Sequence, residues 1–360
     1  MKLFRISIII LSFVLVLLLS GCDIPQYVPP FASSLGEETE QPDVSQSSQL
    51  PSGEQLKVHF IDVGQGDSAF IEFPDGECML IDAGEWDYSG AVISLIDCLG
   101  YTKIDHLVAT HPHSDHIGGM QAVVECFEIG EVYMPEAITD TSSFIGLLEA
   151  LDEKNLSVTA VSAGEKIDFN CGAVGRFVAP VSIVEDLNNC SAVLHLDYKG
   201  KSFLFTGDAE IPEEATITAD IDCDVLKVGH HGSYTSSGKT FLDMASPSIA
   251  VISCGKDNEY GHPHKDALDR LNSSGVESIY RTDLLGTVTI STDGNAISVS
   301  NGYEPSGYKW ILNIRSKKVH TLECDSGIEM KPSNKAYSVR SLEELINNGF
   351  ALCGSCDPEE

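Results

Sequence analysis

Residues 104–119 constrain this chain more than any other segment of it. An apolar, strand-like run from Ile104 to Thr110 delivers His111, Pro112, His113, Ser114, Asp115 and His116, and after Ile117 the pair Gly118-Gly119 opens a helix-like stretch. Three imidazoles and a carboxylate within six residues, at the C-terminal end of a strand, are poor packing material. Imidazole nitrogen and carboxylate oxygen suit zinc and similar divalent ions, and a coordination position left open makes room for water. The extended HxH segment aims two histidines at one ion, while Asp115 and His116 turn toward a second. Two ions need a bridge, which has to come from a distant loop.

Asp208 is the best candidate for that bridge. Lys201 to Thr206 reads as a strand that ends in Thr206-Gly207-Asp208, which places a carboxylate at a loop tip. Alone, this Gly-Asp pair equally marks an ordinary turn; the histidine loops downstream of it give it weight. The apolar run Val225 to Val228 leads into Gly229-His230-His231-Gly232-Ser233, and further on stands Gly261-His262-Pro263-His264. Four of the 11 histidines thus lie in two Gly-flanked loops, each able to reach the same sheet edge.

The surrounding pattern is mixed. Leu56 to Val63, Ser68 to Phe73 and Cys78 to Ile81 read as a β-meander punctuated by Gly and Asp turns. Helices are expected near 91–99, 119–127, 141–153 and 264–273. Strands are expected near 132–134, 156–161, 175–178, 192–197, 249–253, 278–281 and 286–299. Such alternation predicts an α/β domain over 55–303 whose sheets are covered by helices.

Several of these runs carry a family resemblance. Phe60-Ile61-Asp62-Val63-Gly64-Gln65-Gly66-Asp67-Ser68, Leu80-Ile81-Asp82-Ala83-Gly84 and the His111–Gly119 segment look like the metallo-β-lactamase superfamily, and more narrowly like the soluble hydrolase domain of ComEC-type competence proteins. Phe205-Thr206-Gly207-Asp208, Lys227-Val228-Gly229-His230-His231-Gly232-Ser233, Tyr260-Gly261-His262-Pro263-His264 and Tyr280-Arg281-Thr282-Asp283 occur in the family's order. The resemblance runs from about residue 56 to 300. It implies a four-layer αβ/βα sandwich with two divalent ions, zinc or manganese, at one edge between the sheets. His111, His113, Asp115, His116 and Asp208 carry over as ligands. His231 and His262 are chosen to complete the two coordination spheres, with His230 and His264 as alternatives. One departure stands out: Asn188, Asn189, Cys190 and Ser191 occupy the loop where the superfamily usually has a ligand histidine. His195, nearby, reads as a strand residue. Asp62, Asp67 and Asp82 are candidates to orient the ligand histidines.

The chemistry this implies is metal-assisted hydrolysis, with the pKa of a bridging water lowered toward neutrality. Asp115, Asp208 and His230 are expected to carry catalysis, with Ser233 or Lys227 as further donors and Trp86 and Tyr88 as an aromatic wall. The substrate expectation is a phosphodiester, of DNA or of the cell envelope. Alternatives are hydrolysis of a lactam, lactone or thioester, and a binding protein of the envelope or DNA-uptake machinery that has lost turnover. With 22 Lys and Arg against 54 Asp and Glu, the net charge of −32 disfavours a groove for a long polyanion. No protein partner is identifiable.

Both ends of the chain carry separate expectations. Lys2 and Arg5 precede an apolar run, Ile6 to Leu19, that ends in Leu19-Ser20-Gly21-Cys22 and resembles a bacterial lipobox. Residues 1–21 then form a signal peptide and Cys22 takes the lipid; an uncleaved anchor is the alternative. Residues 22–54, rich in Pro, Ser, Glu and Gln, read as a flexible linker holding the folded part outside the cytoplasmic membrane. At the other end, residues 307–360 contain His320, Cys324, Cys353 and Cys356, one imidazole and three thiolates that match a closed structural zinc site. This tail resembles Ada-like zinc-binding modules. A disulfide between Cys353 and Cys356 is the alternative. Lys309, Arg315, Lys317, Lys318, Lys331, Lys335 and Arg340 are expected to give it a less acidic face.

Overall fold

The computed structural model describes residues 54–356. The expected signal peptide, the expected lipidation site Cys22 and the expected linker before Glu54 lie outside the described residues. Two sheets carry the larger part of the fold. The chain lays down β1 (Leu56–Phe60), β2 (Ala69–Glu72), β3 (Cys78–Ile81), β4 (Lys103–Val108), β5 (Glu128–Met134) and β6 (Val158–Ala160) in the first. It then crosses to β7 (Lys166–Asp168), β8 (Val174–Ala179), β9 (Val193–Tyr198), β10 (Lys201–Phe205), β11 (Val225–Lys227), β12 (Ile249–Ile252) and β13 (Ser278–Arg281) in the second, and returns as β14 (Val288–Thr292) and β15 (Ile297–Asn301). The orders are β15-β14-β1-β2-β3-β4-β5-β6 and β13-β12-β11-β10-β9-β8-β7.

Strand β3 is buried at every position, as expected of a central strand covered on both faces. Phe60 and Phe205 stack across the interface between the sheets, with ring centroids 6.0 Å apart, inside an apolar core fed by both. On the outside, α1 (Ser89–Cys98), α3 (Met120–Cys126) and α4 (Ser142–Glu153) cover the first sheet, and α6 (Lys239–Ala245) and α7 (Lys265–Ser273) the second. The result is the four-layer αβ/βα sandwich. Helix α4 shows why: Thr141 caps its N-terminus by accepting from Phe144 N, and Phe144, Leu147, Ala150 and Leu151 recur at helical spacing on its buried face. Three single turns, α2 (Ser114–Ile117), α5 (Ile211–Glu214) and α8 (Thr282–Leu285), all lie beyond strand ends.

Direction is what makes a site. Strands β3 to β6 run parallel, as do β10 to β13, so their C-terminal ends gather on one edge of each sheet. The two edges coincide, because Ala192 N, ahead of β9, donates to Thr110 O, beyond β4. Loops at the carboxyl ends of parallel strands are the usual location of chemistry in α/β folds.

A third sheet, β16 (Trp310–Asn313), β17 (Lys318–His320), β18 (Lys335–Ser338) and β19 (Ala351–Leu352), is ordered β18-β16-β17-β19 and carries α9 (Asp325–Ile328) and α10 (Leu342–Asn347). The expected capping box is present, with Ser341 and Glu344 bonding each other's backbone. This sheet sits on α1: Asp97 takes Arg340 Nε at 2.8 Å, Ser338 Oγ at 3.0 Å and Val339 N at 2.8 Å. Leu312, Ile314, Val319, Ala336, Leu345 and Phe350 join the same apolar cluster as α1, α3 and α4.

Some expectations fail here. Arg340 and Lys317 do not contribute to an exposed basic face: the first is buried against Asp97 and Phe127, and the second pairs with Glu125. The stretch 286–299 is a hairpin, β14 and β15, turned at Asp293-Gly294. Strand β7 and helix α6 are not expected from the sequence pattern, β7 because only Ile167 of its three residues is buried. Among the described residues no helix is long and apolar enough to cross a membrane.

Candidate metal centre

The end of β4 sets the geometry. Thr110 N and Oγ1 donate to the Asp82 carboxylate, at 2.9 and 2.6 Å, which ties the β3 and β4 ends together. The chain then turns outward, and α2 presents Asp115 and His116 one after the other. His116 Nδ1 donates to Asp82 Oδ2 at 2.7 Å, leaving Nε2 free to accept or ligate. On the facing sheet, Asp208 lies just past β10, its backbone N–H held by Ser191 Oγ at 3.1 Å. Beyond β11, His231 Nδ1 donates to Ser253 O at 3.0 Å, so that its Nε2 also points inward.

These orientations converge. Ligand atoms of Asp115, His116, Asp208 and His231 all lie within 4.8 Å of one another. His116 Nε2 is 3.1 Å from Asp208 Oδ1, and His231 Nε2 is 3.1 Å from Asp115 Oδ2 and 3.5 Å from Asp208 Oδ2. His111 Nε2 lies 3.0 Å from His113 Nδ1 and 3.9 Å from Asp208 Oδ2. Asp208 therefore touches both halves of the arrangement, the placement expected of a bridge.

A cation fits this donor set. His116 Nε2 and Asp208 Oδ1 are buried and lack any hydrogen-bond partner, a costly state that an ion between them relieves. The electrostatics agree. Burial alone would raise the Asp208 carboxyl, yet His116 and His231 hold it well below the usual carboxylate range. Burial opposes charge on His116 and His231 too, but Asp208, with Asp82 for one and Asp67 for the other, makes both strongly basic. His111 stays neutral, through burial first and the neighbouring His116 second.

Backbone strain marks the same place. Asp82, His230 and His231 adopt left-handed conformations, with φ of 56°, 47° and 53°. Each costs about 1–2 kcal/mol in a non-glycine residue and is kept only where the surroundings enforce it.

The remaining candidates separate. His230 sits at the mouth, Nε2 3.7 Å from Asp208 Oδ2 and Nδ1 held by Glu210 Oε1 at 3.1 Å. His262 lies one ring further out, with its centroid 6.0 Å from His231 and 5.6 Å from His230. Its Nδ1 faces Gln65 Nε2 at 3.3 Å, and burial, aided by the other histidines, lowers its pKa to about 4. His264 turns away: its Nδ1 accepts from Tyr234 N at 3.1 Å. His195 is packed in β9 between Arg176 and Asp222 O.

Of the three candidate orienting carboxylates, Asp67 and Asp82 reach the histidines, whereas Asp62 is exposed and accepts only from Gly64 N. Lys227 is not a donor facing the mouth, because it is buried and pairs with Asp67. Ser233 is taken up by Thr235. Trp86 packs into the core under α1, so only Tyr88 of the expected aromatic wall is exposed. Thr110, Ser191, Glu210 and Gln65 also support the site, although their places in the sequence assign them no role there: each acts through a contact with a residue distant in the chain or through its neighbours in the fold.

At the other end, His320, Cys324, Cys353 and Cys356 form a second group whose ligand atoms lie within 4.8 Å of one another. His320 Nδ1 is 3.3 Å from Cys324 Sγ, and Cys353 and Cys356 are free thiols. Burial, then Lys318, lowers the His320 pKa and keeps its imidazole available as a ligand. A cavity of about 610 Å³ lies over neither group but along the seam between α1 and the third sheet. Ligand chemistry, not volume, locates the centre.

A family model described as the metallo-beta-lactamase superfamily matches residues 61–256. ComE operon protein 3 of Bacillus subtilis is 29% identical over 252 residues, covering 64% of this chain and 32% of the relative. Recombination protein 2 of Haemophilus influenzae is 28% identical over 231 residues, 62% of this chain and 27% of the relative. Competence protein ComA of Neisseria gonorrhoeae is 29% identical over 233 residues, 63% of this chain and 31% of the relative. The chain spans about a third of the length of these curated relatives.

Proposed function

The chain belongs to the metallo-β-lactamase superfamily, and from that premise we propose that it is a metal-dependent phosphodiesterase, held at the outer face of the cytoplasmic membrane by a lipid on Cys22. The observation that carries the hydrolase reading is the meeting of Asp115, His116, Asp208 and His231, where buried His116 Nε2 and Asp208 Oδ1 have no hydrogen-bond partner among the described residues. The phosphodiester reading draws support from relatives whose names refer to competence and recombination.

His111, His113 and Asp208 would hold one divalent ion, and Asp115, His116, Asp208 and His231 the other, with His262 available to complete either set. Bound divalent ions supply a strong nucleophile from water at neutral pH and charge stabilisation for a phosphoryl oxygen. The protein's own groups do the rest. Asp82 and the Ser253 carbonyl fix the tautomers of His116 and His231, Ser191 fixes Asp208, and His230, oriented by Glu210, stands at the mouth where it can donate a proton to a departing alkoxide. The sulfur-rich group at the other end would hold a structural zinc.

A substrate panel tests this. Purified protein with its metal content measured should cleave bis-p-nitrophenyl phosphate and leave nitrocefin and simple lactones untouched. Turnover of a lactam or lactone with no diester cleavage overturns the substrate class, and a metal-free protein under replete conditions overturns the mechanism. For the anchor, Cys22→Ser should move the protein from the membrane to the soluble fraction of its host.

A further inference from the structure

Beside the metal centre, a cavity of about 370 Å³ opens on the far side of Gln65. Its size falls in the range of small-molecule sites. Gln65 is its link to the chemistry, with Nε2 on His262 and Oε1 accepting from Gly255 N at 3.1 Å. Asn258, also in the wall, bonds His262 N and O. Whatever fills the cavity therefore rests on the two side chains that hold His262 in place.

The lining has a definite chemistry. Tyr88 is 41% exposed, yet the end of its ring lies against Gly64, where a side chain would collide with it. That contact fixes the ring while leaving part of its surface open. Lys256 lines the cavity and makes no hydrogen bond or ion pair among the described residues. Of the two carboxylates in the wall, Asp283 is already paired with Arg281, Nε to Oδ1 at 3.0 Å, and Asp62 is exposed. Asp62, Tyr88 and Gly286 line this cavity and also the 610 Å³ one along the seam, where Tyr303, Tyr308 and Tyr337 continue the aromatic surface.

We propose that the cavity behind Gln65 is a subsite for the unit adjoining the scissile phosphate of an oligomeric phosphodiester, with a planar ring on Tyr88 and the next phosphate at Lys256. This deepens the phosphodiester reading and rests on it. Aromatic stacking tolerates any planar ring, and one free lysine in so acidic a chain gives a local foothold for a phosphate.

Calorimetric binding to the metal-loaded protein separates the subsite from the centre. Thymidine 3′,5′-bisphosphate serves as the ring-and-phosphate probe and inorganic phosphate as the probe of the centre alone. Tyr88→Ala and Lys256→Gln should each weaken the bisphosphate about 10-fold and leave inorganic phosphate unchanged, while Tyr88→Phe should bind like wild type. A dinucleotide should show the same losses in KM, with bis-p-nitrophenyl phosphate unaffected. Unchanged bisphosphate binding in both variants overturns the subsite, as does an equal loss for both probes. If the wild type cleaves the small diester but binds the bisphosphate no better than phosphate, the subsite fails and the diester reading stands; if it does neither, the diester reading itself has failed.

Discussion

Around Asp208 the candidate ligand atoms are backed mostly by other side chains, whereas around Cys353 they are backed by main chain. His116 leans on Asp82, Asp82 on Thr110, Asp67 on Lys227 and the Asp208 backbone on Ser191, while His231 turns its Nδ1 to the Ser253 carbonyl with the Asp67 charge 3.2 Å away. In the second group Cys324 sits ahead of α9, Cys353 N bonds Val319 O at 2.8 Å, and Cys356 N bonds Cys353 O at 3.1 Å. The first ligands are nearly all buried in nitrogen and oxygen donors; the second are half-exposed and mostly sulfur. The contrast matches the donor sets of two different metal chemistries: nitrogen and oxygen donors pre-organised beside an open mouth, and a thiolate-rich set of the kind that structural zinc sites use, whose order would depend on the ion.

The sharpest way to break this contrast is to damage each group separately. Asp208→Ala should lower diester turnover by roughly 10³-fold or more, about 4 kcal/mol in the barrier, and reduce metal only at the first centre. Equal activity in this variant defeats the bridging assignment. Replacing Cys353 and Cys356 by Ser should remove one metal equivalent and lower the melting temperature by roughly 5–10 °C, since the third sheet shares its core with α1 and α3. Turnover at 25 °C should survive. If the Cys variant loses turnover while remaining folded, the two groups are not independent.

A buried ion pair offers a third handle. Arg340 and Asp97 join the third sheet to α1, with side chains 7% and 1% exposed. Arg340→Ala leaves the Asp97 carboxylate without its charged partner and should cost about 3 kcal/mol, read by urea unfolding. Burial already pushes the Asp97 carboxyl up against the pull of Arg340, so Asp97→Asn should recover part of that loss in the double variant. Additive losses in the double variant deny the coupling.

How much of this is legible in the sequence divides along the same line. The ligands themselves are written there, because His111, His113, Asp115 and His116 at one strand end, and His320, Cys324, Cys353 and Cys356 in the tail, have spacings that packing does not produce. Their supports are only partly so, through Asp67 and Asp82. Ser191 and Thr110 are ordinary residues until the two sheet edges meet, and Gln65 matters only because Gly255 comes close enough to bond it. Lys227 shows the reverse error: its position near His230 and His231 suggests a donor at the mouth, but a strand residue alternates faces, and this one points under the site. Arg340 likewise reads as surface charge in a chain where only the α1 carboxylate, far away in sequence at position 97, explains its burial.

The asymmetry extends to carboxylates that touch no ion. Single-turn α5 buries both Glu213 and Glu214 behind the Asp208 loop. Glu214 is bonded by Gly238 N at 2.8 Å, but both oxygens of Glu213 lack a hydrogen-bond partner. Burial pushes the Glu213 carboxyl up to about 8; the Ser191 backbone pulls it down, and Glu214 and Asp186 add to the rise. A raised carboxyl pKa means that the folded protein binds more protons than the unfolded chain between about pH 4.5 and 8. Its contribution is therefore best below that window, and stability is lost as pH rises through it. Glu213→Gln is neutral throughout and should remove the dependence, so that its melting temperature relative to wild type climbs by a few degrees between pH 5 and pH 8.5. A constant difference across that range places Glu213 in contact with water or a cation instead, and removes the case for a protonated acid behind the Asp208 loop.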